Sequence, residues 1–433
     1  MKRFEPKEYA SKREIYAWNI AGSGCNAFAS VVLLMLVNRV LGVKSGDVFS
    51  LAFSIAQLML TVGTFQVRVY QSTDVTDKFQ FHDYFEFRVL TCSIMLVVSF
   101  IYTMIQGYTG QKMIVIMLLC LYRVIDAFSD VFQGLFQQNE RIDLAGKSVF
   151  FRTVIPTACF GVVMYMSGSL LTACVVFVLS ELLLLFLYDV RVYYWFRGYR
   201  PAIAERSGNS FLKNAASLGM LCGPLFINGY LLTALYNEPK LAIDRLVTSG
   251  ALADGIQTYY SILFMPAFVI NLLLVVLRPL ITTMAYAWSQ DNHRKLYGIL
   301  AKICVILGIW TIISALLAWT LGIPVLTWIY GTGDSLKPYR TDLVILILAG
   351  GINALANVLD NVVTIFRYQH ALLFAYGAAY VTALLTAERF VRAYALRGAV
   401  YTYLLSVTVL FACVFCVFAG SLVVTRRKKK NNG

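Results

Sequence analysis

About a dozen apolar stretches, each of roughly 20 residues, alternate with short polar connections along the chain. Several stretches carry one polar stripe at helical spacing. The longest runs through Ser50, Ser54, Gln57, Thr61, Thr64 and Arg68, whose steps of three and four residues place all six side chains on one helical face. Lipid penalises such a face, so the pattern predicts water or polar neighbours against it. Helices are predicted over 15–37, 48–70, 85–105, 112–136, 148–167, 169–189, 212–236, 257–284, 297–321, 341–366, 369–387 and 399–424. The fold class expected is an all-α integral membrane protein with about 12 spans.

The stripes recur. In the second span one ends at Arg68; in the eighth, Gln257, Ser261, Phe264, Asn271 and Arg278 again end in an arginine. Arg123, Asp126, Asp130, Gln133 and Gln137 of the fourth span match Asn353, Asn357, Asp360, Thr364 and Arg367 of the tenth. The first and seventh spans open alike, with Asn19, Ser23 and Asn26 against Asn214, Ser217 and Asn228. Two parallel six-helix bundles explain the three pairings: residues 1–190, a charged linker over 191–210, and residues 211–433 ending in a basic tail. One stripe alone fits helix packing as well as it fits a cavity. Matched stripes in two halves favour a shared central cavity, with Asn26, Gln57, Thr61, Asn228, Gln257, Asn271 and Asn357 as its wall. Pro156, Pro224, Pro266 and Pro279 lie in or at the ends of spans, where a freed backbone group is tolerated beside a cavity.

Composition agrees: 59% of the 433 residues are hydrophobic, 14% are charged and mean hydropathy is +0.69, which leaves no room for a sizeable soluble domain. The net charge of +14 calls for no nucleic-acid partner. Ten of the 37 basic residues lie in the tails, at Lys2, Arg3, Lys7, Lys12, Arg13 and Arg426, Arg427, Lys428, Lys429, Lys430, where they suit an anionic membrane leaflet. Both termini are therefore expected in the cytoplasm, and the charged N-terminus is no cleavable signal. The connection 388–398 disagrees, since Arg389, Arg392 and Arg397 fall on the outer side. All nine cysteines lie in apolar stretches, so neither a disulfide framework nor a metal site is expected, and Cys413 with Cys416 lacks partner ligands.

Charges inside spans are costly and are examined first as functional candidates. Arg68 and Arg278 sit near the cytoplasmic ends of their spans, one in each half, and can snorkel or grip an anionic substrate; the planar guanidinium binds phosphate oxygens bidentately. Arg123, Asp126 and Asp130 read first as a self-neutralised cluster and second as an ion-coupling site. Glu181, Asp360 and Arg152 could pair within their own halves. No enzyme is indicated: GSG at 22–24 and GTG at 331–333 lack a phosphate-loop context, and His82, His293 and His370 are scattered. No cofactor is called for.

The segments NIAGSGCNAF, NRVLGVKSGDVFSLAFSIAQLMLTVGTFQVRVYQSTDV, VFQGLFQQNERIDLAGKSVFFRT, NEPKLAID, QTYYSILFMPAFVINLLLVVLRPLIT, IPVLTWIYGTG and ALRGAVYTYLLS, in that order, resemble bacterial oligosaccharide flippases of the polysaccharide-transport family. That family belongs to the superfamily that includes the multidrug and toxin extrusion (MATE) antiporters. The resemblance implies a V-shaped pair of bundles that alternates access to a central cavity. It also implies an undecaprenyl-diphosphate-linked oligosaccharide as substrate, for capsule, exopolysaccharide or teichoic acid, with glycosyltransferases or a polymerase of the same pathway as partners. Arg68 and Arg278 would then hold the diphosphate. Lipid II flippases of the superfamily usually carry two further C-terminal spans, which ranks them lower here. An ion-coupled drug antiporter stays open because of Asp126, Asp130 and Asp360.

Overall fold

The computed structural model describes residues 10–72, 74, 78–199 and 210–432, and among them the regular structure is entirely helical. The basic residues of the first nine positions and the linker residues 200–209 lie outside the described residues, as do the side chains of Asn271, Arg278 and 423–432. Long helices follow one another with short, capped breaks. Ser11 opens α1 (Lys12–Leu41) by accepting the Glu14 amide at 3.2 Å, and Gly42, at φ 79°, separates it from α2 (Val43–Thr64). A short α3 (Val67–Gln71) precedes α4 (Phe81–Ile105) and α5 (Gly110–Gln138). Gly168, in the left-handed region, ends α6 (Ile142–Ser167), and Ser169 caps α7 (Leu170–Leu184). A wide π turn over Leu185–Val190 carries α7 into α8 (Arg191–Tyr199).

There follow α9 (Phe211–Thr248), α10 (Ile256–Ser289), α11 (His293–Leu317), α12 (Ile323–Tyr330), α13 (Arg340–Ile365), α14 (Leu372–Tyr394) and α15 (Leu396–Asn432). Among the described residues, ten helical segments are long and apolar enough to cross a membrane. The other two predicted spans are also continuous helices: α5, 29 residues long with Arg123, Asp126 and Asp130 in its middle, and α10, 34 residues long. Large apolar side chains such as Val97, Ile101, Leu183, Phe186, Ile312 and Leu316 are exposed, which a hydrocarbon solvent explains. The chain is a multi-pass membrane protein.

Two predicted boundaries are corrected. The seventh helix does not stop near 236 but runs on through Asn237, Glu238, Pro239 and Lys240 to Thr248. The ninth continues through a π turn at Ala318–Gly322 into α12. In both places the helix outlasts the apolar run, because backbone groups are satisfied internally by continuing it.

The chain divides into two compact units, residues 1–230 and 231–433, so the break falls inside α9. In the first, α2 and α5 form the centre: α2 packs on α4 and α5, α5 on α4 and α7, and α6 joins α1 to α7. In the second, α13 is central: α10 packs on α11 and α13, α13 on α11 and α15, and α14 on α15. In span order, second on third, second on fourth, third on fourth, fourth on sixth and fifth on sixth become eighth on ninth, eighth on tenth, ninth on tenth, tenth on twelfth and eleventh on twelfth. The internal repeat read from the polar stripes is thus a repeat of packing. The α1–α6 contact needs glycine: a Cβ on Gly146 would lie 2.6 Å from the Trp18 carbonyl oxygen, and one on Gly22 would lie 2.5 Å from the Gly146 oxygen.

Candidate functional site

The stripe on α2 has a different role from the one its spacing suggests. Ser50, Ser54 and Thr61 are buried, and with Thr64 they donate their hydroxyls to carbonyls of Asp47, Ser50, Leu58 and Leu60, one turn back on their own helix. Thr61 therefore does not line water. The helix ends at Thr64, and two successive residues, Phe65 (φ 46°) and Gln66 (φ 54°), adopt left-handed backbone before α3 begins. Such conformations cost of order 1–3 kcal/mol each without glycine and persist only where the surroundings fix them. Phe65 stacks on Phe226 of α9, with centroids 4.4 Å apart, and meets Phe87 edge-on. The break takes Arg68 off the α2 face and turns it toward α5.

There it joins a network of four arginines and four carboxylates. Arg68 donates through Nη1 to Gln133 Oε1 (2.7 Å) and Asp130 Oδ1 (3.3 Å), and through Nε to Gln137 Oε1 (3.4 Å). The other oxygen of Asp130 accepts from Arg88 Nη2 at 2.9 Å, and Arg88 Nη1 donates to the Gly63 carbonyl at 2.6 Å. Gln133 passes the chain to Ser129, and the hydroxyls of Ser129 and Ser148 each donate to Asp189 at 2.6 Å. Arg152 pairs with Glu181 at 2.9 Å and reaches Asp189 at 3.7 Å and Asp126 at 4.0 Å. Asp126 accepts from Arg123 at 2.9 Å, and Arg123 also donates to Gln57 at 2.7 Å while lying over the Phe53 and Tyr122 rings.

Charges balance in this network, as they must where each unpaired ion costs several kcal/mol of desolvation. Arg88, Arg152, Glu181 and Asp189 are buried. The network meets the accessible surface at Asp126, Asp130 and Arg68, whose side chains are 34%, 21% and 31% exposed. Arg68 is not a bare cation, since Asp130 lies beside it; Nη2, with two N–H donors, makes no hydrogen bond to the described residues.

Asn26 is exposed on α1 and is not part of this network; Asn228 is half-buried, and its Oδ1 has no partner among the described residues. In the second unit Asn353 accepts from Tyr236 at 3.0 Å, and Asn357, one turn on, is half-buried. Asp360 is half-buried and hydrogen-bonded to Tyr376, with no basic partner among the described residues. Gln257 is buried. Asn271 and Arg278 occupy α10, with side chains outside the described residues.

Three charged residues were missed by sequence reading. Arg88 stood near the start of a predicted span and Asp189 at the end of another, where each passes for a flanking charge. Lys240 fell past the predicted end of the seventh helix. It is half-buried over Phe264. A cation–π contact returns about 2 kcal/mol, less than the several kcal/mol that burying an ammonium costs.

No family model and no curated protein matches the sequence. Solved structures do. An inward-facing multidrug resistance MATE family transporter of the MOP superfamily aligns with TM-score 0.65 and 12% identity over 96% of both chains. The lipid II flippase MurJ in an inward closed conformation aligns with TM-score 0.67 and 11% identity over 93% of this chain and 91% of that one. A MOP superfamily transporter from Pyrococcus furiosus, described as having a binding pocket of reverse polarity that suggests a different function, aligns with TM-score 0.59 and 12% identity over 95% and 94%. The chain therefore has the all-helical fold of the MATE-like transporters and flippases of the MOP superfamily.

Proposed function

We propose that the protein is a flippase that moves an undecaprenyl-diphosphate-linked oligosaccharide across the bacterial cytoplasmic membrane by alternating access. The observation that carries this reading is Arg68: a guanidinium turned out of its helix by a strained break, fixed on three sides by Asp130, Gln133 and Gln137, and left with one donor edge open. A preorganised fork of that kind suits a phosphate oxygen. Arg278 is the matching candidate in the second unit. The lipid tail would stay in the bilayer while the charged headgroup crosses a wet path, which avoids placing an ionised diphosphate in hydrocarbon. The likeness to both MATE transporters and MurJ supports transport of an amphipathic substrate, and the resemblance of the sequence segments supports an oligosaccharide cargo.

A second reading, an ion-coupled antiporter, rests on Asp360, which bonds Tyr376 and has no basic partner among the described residues. One experiment serves both. Surface glycan export is measured in cells carrying Arg68→Ala or Arg278→Ala, with membrane abundance measured alongside. The flippase reading expects export to be lost at near-normal abundance; normal export in both single variants overturns the cationic grip. Arg278→Lys retains partial export only if a point charge suffices.

A further inference from the structure

The break after α2 is held from two sides. Phe65 takes the left-handed C-cap position, where its amide reaches back to the Thr61 carbonyl at 3.0 Å, a place usually filled by glycine. Gln66 repeats the left-handed backbone at φ 54° and opens α3. This backbone is unfavourable for both residues, because each carries a Cβ. From one side α4 restrains the end of α2. Arg88 Nη1 and Thr91 Oγ1 both donate to the Gly63 carbonyl, at 2.6 and 2.7 Å, and Phe87 meets Phe65 edge-on.

On the other side stands α9. Phe226 lies nearly parallel to Phe65, with 12° between the ring planes and 4.4 Å between the centroids. One turn further on, Gly229 has no side chain to keep Gln66 away: a Cβ there would lie 2.8 Å from Gln66 Nε2. Both strained residues therefore rest on one face of α9. Earlier turns anchor that face. Asn214 donates to Asp83 Oδ1 of α4 at 2.8 Å, both residues being buried, and Leu218 and Cys222, at steps of four, are fully buried. Asn214, Leu218, Cys222, Phe226 and Gly229 thus form one stripe within the first unit, although α9 continues past Tyr230 into the second.

A ring stacked on Phe65 acts on Arg68 through the backbone. Val69 donates its amide to the Gln66 carbonyl at 3.2 Å and Ser72 to that of Arg68 at 2.9 Å, so α3 is a short helix whose direction is set at residue 66. That direction brings Arg68 to Gln133 and Gln137. We infer that Phe226 is a positioning residue for the phosphate grip: by stacking on Phe65 it holds the left-handed pair, and the pair presents the Arg68 guanidinium. The inference rests on the reading of Arg68 as that grip. It adds that the grip depends on α9, a helix shared with the second unit, so that lifting Phe226 from Phe65 slackens Arg68.

Two measurements on purified full-length protein in lipid nanodiscs test it. Amide hydrogen exchange of residues 65–72, read by mass spectrometry without ligand, reports the break, and equilibrium binding of inorganic pyrophosphate reports the grip. Phe226→Ala is expected to speed exchange in 65–72 at least tenfold, while α5 and α7 keep wild-type rates, and to weaken pyrophosphate binding at least tenfold. Phe226→Tyr keeps the ring and is expected to match wild type within threefold in both. Adding Gln66→Gly to Phe226→Ala removes the Cβ penalty at one strained position and is expected to return binding to within threefold of wild type. In an Arg68→Ala background, Phe226→Ala is expected to change binding no further. Exchange in 65–72 that Phe226→Ala leaves unchanged, or that rises equally throughout the unit, overturns the inference. So does an undiminished effect of Phe226→Ala on binding when residue 68 is already alanine. Wild type that binds no pyrophosphate counts against the grip alone, because the exchange rates still uphold or overturn the clamp.

Discussion

At the scale of single residues, the chemistry of the first unit is a contest between pairing and exposure. Arg152, Glu181 and Asp189 are buried together, so removing the arginine alone leaves two carboxylates facing each other in low dielectric. Arg152→Met is expected to cost about 3–5 kcal/mol and to empty the membrane of folded protein, as measured by thermal unfolding in detergent. The double variant Arg152→Met, Glu181→Gln is expected to recover much of that loss, because it removes one charge of each sign and leaves Asp189 its two serine donors. A double variant as unstable as the single one would show that the cluster acts through shape rather than charge. Arg68→Ala should behave differently. Asp130 keeps Arg88 as its partner, so the unfolding temperature is expected to stay within a few degrees of wild type while function is lost. Of these residues, the grouping of Arg123 with Asp126 was legible in the sequence from their spacing of three. The bond of Arg68 to Asp130 was not, because it depends on a helix break at Phe65 and Gln66, neither of which is a glycine or proline.

At the scale of elements, periodicity found the helices and their repeat but misread what one stripe faces. Hydroxyls of serine and threonine can satisfy themselves on their own helix, so the spacing of Ser50, Ser54, Thr61 and Thr64 carries no information about water. Glutamine cannot do this easily, and within α2 itself Gln57 is the member of the stripe that reaches another helix. Small residues were the signal for close approach. Gly146→Ala places a methyl carbon against the Trp18 backbone and is expected to cost about 1–3 kcal/mol, seen as lowered thermal stability, whereas Gly24→Ala meets nothing within 4 Å and should leave stability unchanged or slightly raised. A destabilised Gly24→Ala beside a tolerated Gly146→Ala would contradict the described α1–α6 contact.

At the scale of the whole molecule, twelve helical segments and basic tails lead to the expectation that both termini share the cytoplasmic side and that 388–398 lies opposite them despite its arginines. Membrane-impermeant thiol labelling of single cysteines placed near residue 10 and near residue 393, in a cysteine-free background, should label only the second from outside intact cells. Labelling of both, or of the first alone, would reverse the orientation. Driving force is a separate matter: translocation rates indifferent to proton, sodium and voltage gradients would remove Asp126, Asp130 and Asp360 from any coupling role. The most direct check on the flippase reading is translocation itself, in proteoliposomes holding purified protein and an undecaprenyl-diphosphate-linked oligosaccharide, scored by glycan accessibility to an external enzyme. Wild type is expected to move the glycan between leaflets and Arg68→Ala, equally folded, to fall at least tenfold below it; no movement by wild type, or equal rates for the two proteins, would contradict the proposed function.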